Sequence, residues 1–185
     1  MASPAETGRT VTDLARFDDD ERHKYELVGG ALFVRPKGLP RHQCVASLIV
    51  RRLLDWADVH GGAAFVEPDV YCTVRDFVIP DVVLLRAETL ARIAEQHIDV
   101  PPDLIVEASP PSTRRLDLVL KRDLYARQGV PEYWFVDLDA DRVERYRLVG
   151  DTYGQPEVVG AGGLLRPAHL DGLEVAVDDV LRPLR

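Results

Sequence analysis

Apolar positions recur along this chain with two periods. From His42 to Val59, the residues Val45, Leu48, Ile49, Leu53 and Trp56 fall at three- and four-residue intervals, with Arg51, Arg52 and Asp55 on the other sides. That spacing predicts an amphipathic helix, ended by Gly61-Gly62. Leu116 to Gln128 reads as a second helix, closed by Gly129 and Pro131. Shorter runs predict strands at Ala64–Val66, Val70–Val74, Val78–Leu85, Leu104–Val106 and Tyr133–Val136, with an outer strand from Arg142 to Leu148. Tyr25–Val28 and Ala31–Val34 flank Gly29-Gly30, and paired glycines tolerate the positive φ angles of a tight hairpin turn. Short helices are expected at Thr12–Phe17, capped by Thr12, and at Ala87–Gln96, with a β-like piece at Leu173–Val177. Strands come first and a strand–helix–strand unit follows. This order predicts an α/β (α+β) fold with a mixed central sheet flanked by helices. A right-handed crossover would bring the start of the central helix near the ends of the strands on either side of it. A flexible tail over 1–11 and a single domain over 12–185 are expected.

Composition narrows the function classes. The 185 residues are 46% hydrophobic and 29% charged, ordinary usage for a chain that buries a core. With 23 basic and 31 acidic residues the net charge is -8, so any surface that attracts nucleic acid must be local. Cys44 and Cys72 form no CxxC pair, which argues against a disulfide framework or a zinc ribbon. His23, His60, His97 and His169 show no metal-binding spacing. The first residues lack the basic and apolar regions of a signal peptide, and no apolar run has the length of a membrane span. A cytoplasmic protein with no membrane partner is expected.

Three charged positions carry the chemistry. Asp81 follows Pro80 and opens an aliphatic run, and Glu107 follows Leu104-Ile105-Val106. A carboxylate inside such a run is costly if buried without a partner. Two of them at the ends of neighbouring strands can converge on one hard cation, which takes its other ligands from water and phosphate. Asp117, Lys121 and Tyr125 stand at i, i+4 and i+8 on one helical face. If that face points at the strand ends, the Lys121 ammonium could orient an attacking water and offset charge in the transition state. Each residue also has an ordinary reading: a turn for Asp81, a solvated strand end for Glu107, and a surface ion pair for Asp117 and Lys121.

Around these residues the chain resembles a known family. Tyr25-Glu26-Leu27-Val28-Gly29-Gly30, Pro80-Asp81-Val82-Val83, Pro102-Asp103-Leu104-Ile105-Val106-Glu107, Pro111-Ser112-Thr113, Asp117 with Lys121 and Tyr125, and Gly129 to Asp137 resemble, in order, the Uma-two family of putative restriction endonucleases, within the PD-(D/E)XK nuclease superfamily. The resemblance implies a restriction-endonuclease-like fold and Mg2+ or Mn2+ held by Asp81 and Glu107. It also implies a further catalytic acid, Glu26, from the hairpin. Much of the superfamily has a lysine two residues after the second acid, where this chain has Ser109. The resemblance moves that lysine to Lys121. The pattern after Glu107 departs from the family at Pro110, and Gly30-Ala31 replaces a commoner Gly-Glu.

Substrate contacts are expected from His42, Arg114, Arg115, Asp117 and Tyr125. His42 has the alternative reading of a helix-start residue. Arg35, Lys37, Arg41, Arg122 and Arg127 would add to a local positive patch, against the alternative of a solvated helix surface. Trp134 and Tyr133 read as core, and Asp137 as a turn residue. The function implied is a metal-dependent endonuclease acting on DNA, with a homodimer expected because duplex cleavage needs two sites or two events. The alternatives are a catalytically silent nucleic-acid- or protein-binding module on the same fold, and a hydrolase of another phosphate-containing substrate.

Overall fold

A computed structural model describes residues 8–17, 23–36, 38–109, 114 and 116–181. Lys37, Pro110 to Thr113 and Arg115, which the sequence singles out, lie outside the described residues, as do residues 1–7 of the expected tail. In chain order the strands are β1 (His23–Val28), β2 (Ala31–Pro36), β3 (Ala63–Val66), β4 (Val70–Thr73), β5 (Asp76–Val78), β6 (Val82–Leu85) and β7 (Leu104–Ser109). They continue as β8 (Glu132–Asp137), β9 (Arg142–Val149), β10 (Thr152–Tyr153), β11 (Glu157–Val159), β12 (Leu164–Leu165) and β13 (Val175–Ala176). The helices are α1 (Pro40–His60), α2 (Ala87–Leu90), α3 (Arg122–Arg127) and α4 (Val177–Val180). A π-helical turn, Leu116–Lys121, leads directly into α3.

The hairpin forms where the glycines predict it: Gly29 and Gly30 have φ of 61° and 75°, and β1 pairs antiparallel with β2 from His23↔Pro36 to Val28↔Ala31. It extends into a small antiparallel sheet of order β2-β1-β5-β4. The main sheet runs β10-β9-β8-β7-β6-β3, with β11 also on β9. Its pairs are antiparallel except β7 and β8, which are parallel and joined through the π turn and α3.

The pleat of the main sheet decides what each side chain meets. Val82, Leu84, Leu104, Val106, Ala108, Trp134 and Val136 alternate onto the face covered by α1, whose buried stripe is Val45, Ala46, Ile49, Leu53, Trp56 and Ala57. Val83, Leu85, Ile105, Tyr133 and Phe135 take the other face, against Leu124 and Tyr125 of α3 and Val28 and Phe33 of the hairpin. By the same alternation Asp81 belongs with Val83 and Glu107 with Ile105, on the face shared by α3 and the hairpin.

Several expectations change in detail. The run Val78–Leu85 is not one strand. It breaks at Ile79-Pro80-Asp81 and its halves join different sheets, because Pro80 has no N–H to continue a ladder. The helix over Ala87–Gln96 is the single turn α2. Ile98 is drawn instead to β4, donating from its N–H to Asp69 O (2.9 Å) and accepting from Tyr71 N–H (2.8 Å). Leu104–Val106 extends to Ser109, so Glu107 lies within the strand rather than at its end. β9 is not outermost, since β10 and β11 pair with it, and Leu173–Val177 narrows to β13. Val11–Phe17 is a 3-10 helix whose start is tied by Thr10 N–H donating to Asp13 Oδ2 (2.9 Å) rather than by Thr12.

Candidate active site

Strand parity brings three elements to one place. On β1 the inward positions Lys24 and Glu26 alternate, and the cross-strand register sets Lys24 opposite Arg35 and Glu26 opposite Phe33. On β6 and β7 the register Val82↔Val106, carried one step further, sets Asp81 opposite Glu107. The π turn then delivers Asp117 and Lys121, and α3 delivers Tyr125. Glu26, Glu107, Asp117, Lys121 and Tyr125 are fully buried, and Asp81 is nearly so.

Lys121 stands at the centre. Its Nζ lies 2.5 Å from Glu107 Oε1, 2.7 Å from Glu26 Oε1 and 3.7 Å from Asp117 Oδ1. Glu26 Oε1 also accepts from Ile79 N–H at 2.9 Å, and Arg35 Nη2 is 2.6 Å from Glu26 Oε2, close but poorly aligned for a hydrogen bond. Asp117 accepts from Arg35 Nη1 (3.4 Å to each oxygen) and from the Ser109 hydroxyl. Glu107 Oε1 accepts from the Tyr125 hydroxyl at 2.7 Å, while Glu107 Oε2 is buried with no hydrogen-bond partner among the described residues.

Asp81 has a separate set of donors. Lys24 Nζ lies 2.9 Å from its Oδ1; His42 Nε2 and Ala108 N–H each lie 2.8 Å from its Oδ2.

These contacts push the two acids apart. Burial alone would raise Asp81, but the His42 hydrogen bond and the charges of Lys24, His42 and Arg35 hold it well below the ordinary carboxylate range. Burial pushes Glu107 up to about 7; Lys121 opposes this, and Asp117 and Asp81 add to it. Glu26 is held at about 2, since Arg35 and Lys121 outweigh its burial. Burial would lower Lys121, yet Glu107 and Glu26 drive its pKa above the usual lysine value. Both acids therefore favour the charged ammonium.

Lys37 and Arg115 apart, the positions expected at the site lie among the described residues. Asp81, Glu107, Lys121 and Glu26 converge. The ordinary readings of Glu107 as a solvated strand end and of Asp117 and Lys121 as a surface pair fail, because all three are fully buried. Asp117 and Tyr125, expected at substrate, are enclosed, and their polar atoms meet Arg35, Ser109 and Glu107. Both are as fully buried as Glu107 and Lys121. Arg35, expected in a surface patch, is buried for the same reason: it compensates Glu26 and Asp117. Arg114 pairs with Asp137 (2.6 Å) and Glu144 (3.1 Å), Arg41 with Leu138 O and Asp141, and Arg122 with Asp123 (3.1 Å), so acids offset much of the expected patch. His42 is the third residue of α1 and reaches Asp81. Asp137 Oδ1 accepts from the N–H groups of Asp139 and Ala140, as a turn residue does, and Tyr133 and Trp134 are fully buried core.

Lys24 and Glu67 went unnoticed in the sequence. The signal was the alternation of Lys24 and Glu26 in one strand, two charges on the face that must pack inward.

The donor set suits a hard cation. Two carboxylates from adjacent strands, one with a buried unpartnered oxygen, leave the remaining ligand positions to water and phosphate. Among the described residues no group of three or more His, Cys, Asp and Glu is arranged to hold a metal.

A mixed sheet with one acid just before β6, another within the neighbouring β7 and a buried lysine from the crossover defines a restriction-endonuclease-like α/β protein. The chain belongs to the Uma2 family, described as "putative restriction endonuclease", which matches residues 11–178. The crystal structure of a putative nuclease belonging to DUF820 from Anabaena variabilis superposes with a TM-score of 0.78 at 18% identity, covering 94% of this chain and 98% of that one. That likeness shows the fold. The type IIG restriction endonuclease BpuSI matches with a TM-score of 0.40 and 13% identity over 60% of this chain and 12% of that one, too slight to bear on the fold. No curated protein matches the chain. Among the described residues no helix is long and apolar enough to cross a membrane.

Proposed function

We propose that the protein is an endonuclease that hydrolyses DNA phosphodiesters with Mg2+ or Mn2+ held by Asp81 and Glu107. The observation that carries this reading is the buried, unpartnered Oε2 of Glu107 beside a lysine locked between Glu107 and Glu26. The bound ion would lower the pKa of an attached water and polarise the phosphoryl oxygen. Lys121 stays protonated and offers its charge to the oxygens that become more negative in the transition state. Glu26 fixes the ammonium and Tyr125 fixes the rotamer of Glu107. The family supports DNA as the substrate. A homodimer would supply the two sites that duplex cleavage needs.

The test is a plasmid-nicking assay with Mg2+ and Mn2+ on the wild-type protein and the Glu107→Gln variant. Nicking that needs the cation and falls at least about a hundredfold in the variant is expected. Intact plasmid with both metals, or a variant as active as the wild type, removes the reading. In that event the enclosure of Lys121, Glu107, Glu26 and Asp117 favours a silent binding module, which predicts DNA or protein binding without divalent uptake at Asp81 and Glu107.

A further inference from the structure

Asp81 carries three donors before any cation is considered: Lys24, His42 and the N–H of Ala108. A divalent ion that uses Asp81 must compete with one of them. The Ala108 N–H is fixed by the strand that carries it. The His42 ring packs so close to Gly38 that an added Cβ would overlap it, which limits its movement on that side. Lys24 alone combines a long flexible stem with a second acid in reach: its Nζ is 3.0 Å from Glu67 Oε1.

Glu67 is built for that position. Its φ is 49°, in the left-handed region that non-glycine residues avoid, and its N–H donates to Asp81 O at 3.1 Å. The backbone thus ties Glu67 to Asp81, and Lys24 bridges the two side chains. The Lys24 side chain is only 6% exposed, and the charge of Glu107 acts on it too. The ammonium therefore lies in the field of both carboxylates of the proposed ion site.

We propose that Lys24 is a resident counter-ion: it compensates Asp81 until a divalent ion arrives, then moves onto Glu67 as the ion takes Asp81. This rests on the assignment of Asp81 and Glu107 as the ion's carboxylates. The exchange moves one cation between two acids and transfers no proton.

Calorimetric titration of Mn2+ into the full chain tests it, with melting temperatures recorded with and without Mn2+, on wild type, Lys24→Met, Glu67→Gln and Asp81→Asn. Lys24→Met is expected to bind Mn2+ about tenfold more tightly. It should melt lower than wild type without Mn2+ and gain more from its addition. Glu67→Gln is expected to weaken Mn2+ binding, because the displaced ammonium loses the negative charge that would compensate it. A packing role alone would weaken binding in both variants. Equal or weaker binding by Lys24→Met overturns the proposal. If that variant does not fold, unchanged or tighter binding by Glu67→Gln overturns it. No Mn2+ uptake by wild type or Lys24→Met, or uptake that survives Asp81→Asn, instead removes the assignment of the two acids and this inference with it.

Discussion

Replacing Lys121 by Met keeps the aliphatic volume and removes one charge from a site with no exposure. Glu26 then keeps Ile79 N–H on Oε1 and Arg35 beside Oε2, so its loss is partial. Glu107 keeps only the Tyr125 hydroxyl. The stability cost depends on pH, and the direction follows from the wild-type Glu107 value of about 7. Because that value lies above the unfolded one, the folded wild type holds an extra proton between roughly pH 4.5 and 7 and loses stability as pH rises through that window. In the variant Glu107 lacks its nearest cation and keeps the proton to higher pH, so above pH 7 the variant alone goes on losing stability.

At pH 6 both proteins hold the proton, and the loss is that of the Glu26 contact, about 1–3 kcal/mol. Above pH 7 the difference grows by about 1.4 kcal/mol per pH unit, reaching about 2 kcal/mol more at pH 8.5 than at pH 6. The total at pH 8.5 then falls near the 3–5 kcal/mol typical of breaking a buried ion pair, roughly, from one side. Urea melts at pH 6 and 8.5 on both proteins measure this. A pH-independent difference, or one under about 1 kcal/mol at both values, would refute the argument that Lys121 is what lets Glu107 ionise.

Tyr125→Phe removes the only described hydroxyl donor to Glu107 at constant shape, and a loss of about 1–3 kcal/mol is expected in the same melts. Glu132 offers a control away from the site: it accepts from Arg145 Nε at 2.5 Å and Trp134 Nε1 at 2.7 Å, so Arg145→Met should destabilise by about 3–5 kcal/mol and leave Mn2+ affinity unchanged by calorimetry. Gly62 has φ of 105° and its Cβ would collide with Leu85 O, so Gly62→Ala should cost at least about 1–3 kcal/mol at the start of β3, seen as a lower melting temperature.

The main elements were legible because their residues obey one period at a time. The stripe from Val45 to Trp56 marks α1, and Gly29-Gly30 marks the hairpin. Asp81, Glu107 and Lys121 were legible as charges placed against aliphatic runs. What the sequence hid was non-local. Leu116–Lys121 reads as ordinary helix, and the π geometry appears only once Asp117 and Lys121 are both buried against Arg35, Glu26 and Glu107. Arg35 looked like a loop cation because the hairpin was read as ending at Val34, and because Asp117, one of its two partners, lies far along the chain. Ala87–Gln96 looked helical, but β4 offered Ile98 a better set of hydrogen bonds.

The charge balance of the centre joins these observations. Among the described residues four buried carboxylates, Glu26, Asp81, Glu107 and Asp117, face three buried permanent cations, Lys24, Arg35 and Lys121, while the more exposed Glu67 shares Lys24. One negative charge is in excess, and it falls on Glu107, the acid farthest from full compensation, which is why burial can lift its pKa to about 7. His42, raised by Asp81 although burial opposes it, can absorb part of that excess. A divalent ion added to the ionised centre would leave one positive charge in its place. A phosphodiester group carries one negative charge, so within this buried set ion and substrate together would restore neutrality where neither alone does. On this account the cation should bind more tightly when a phosphodiester is present.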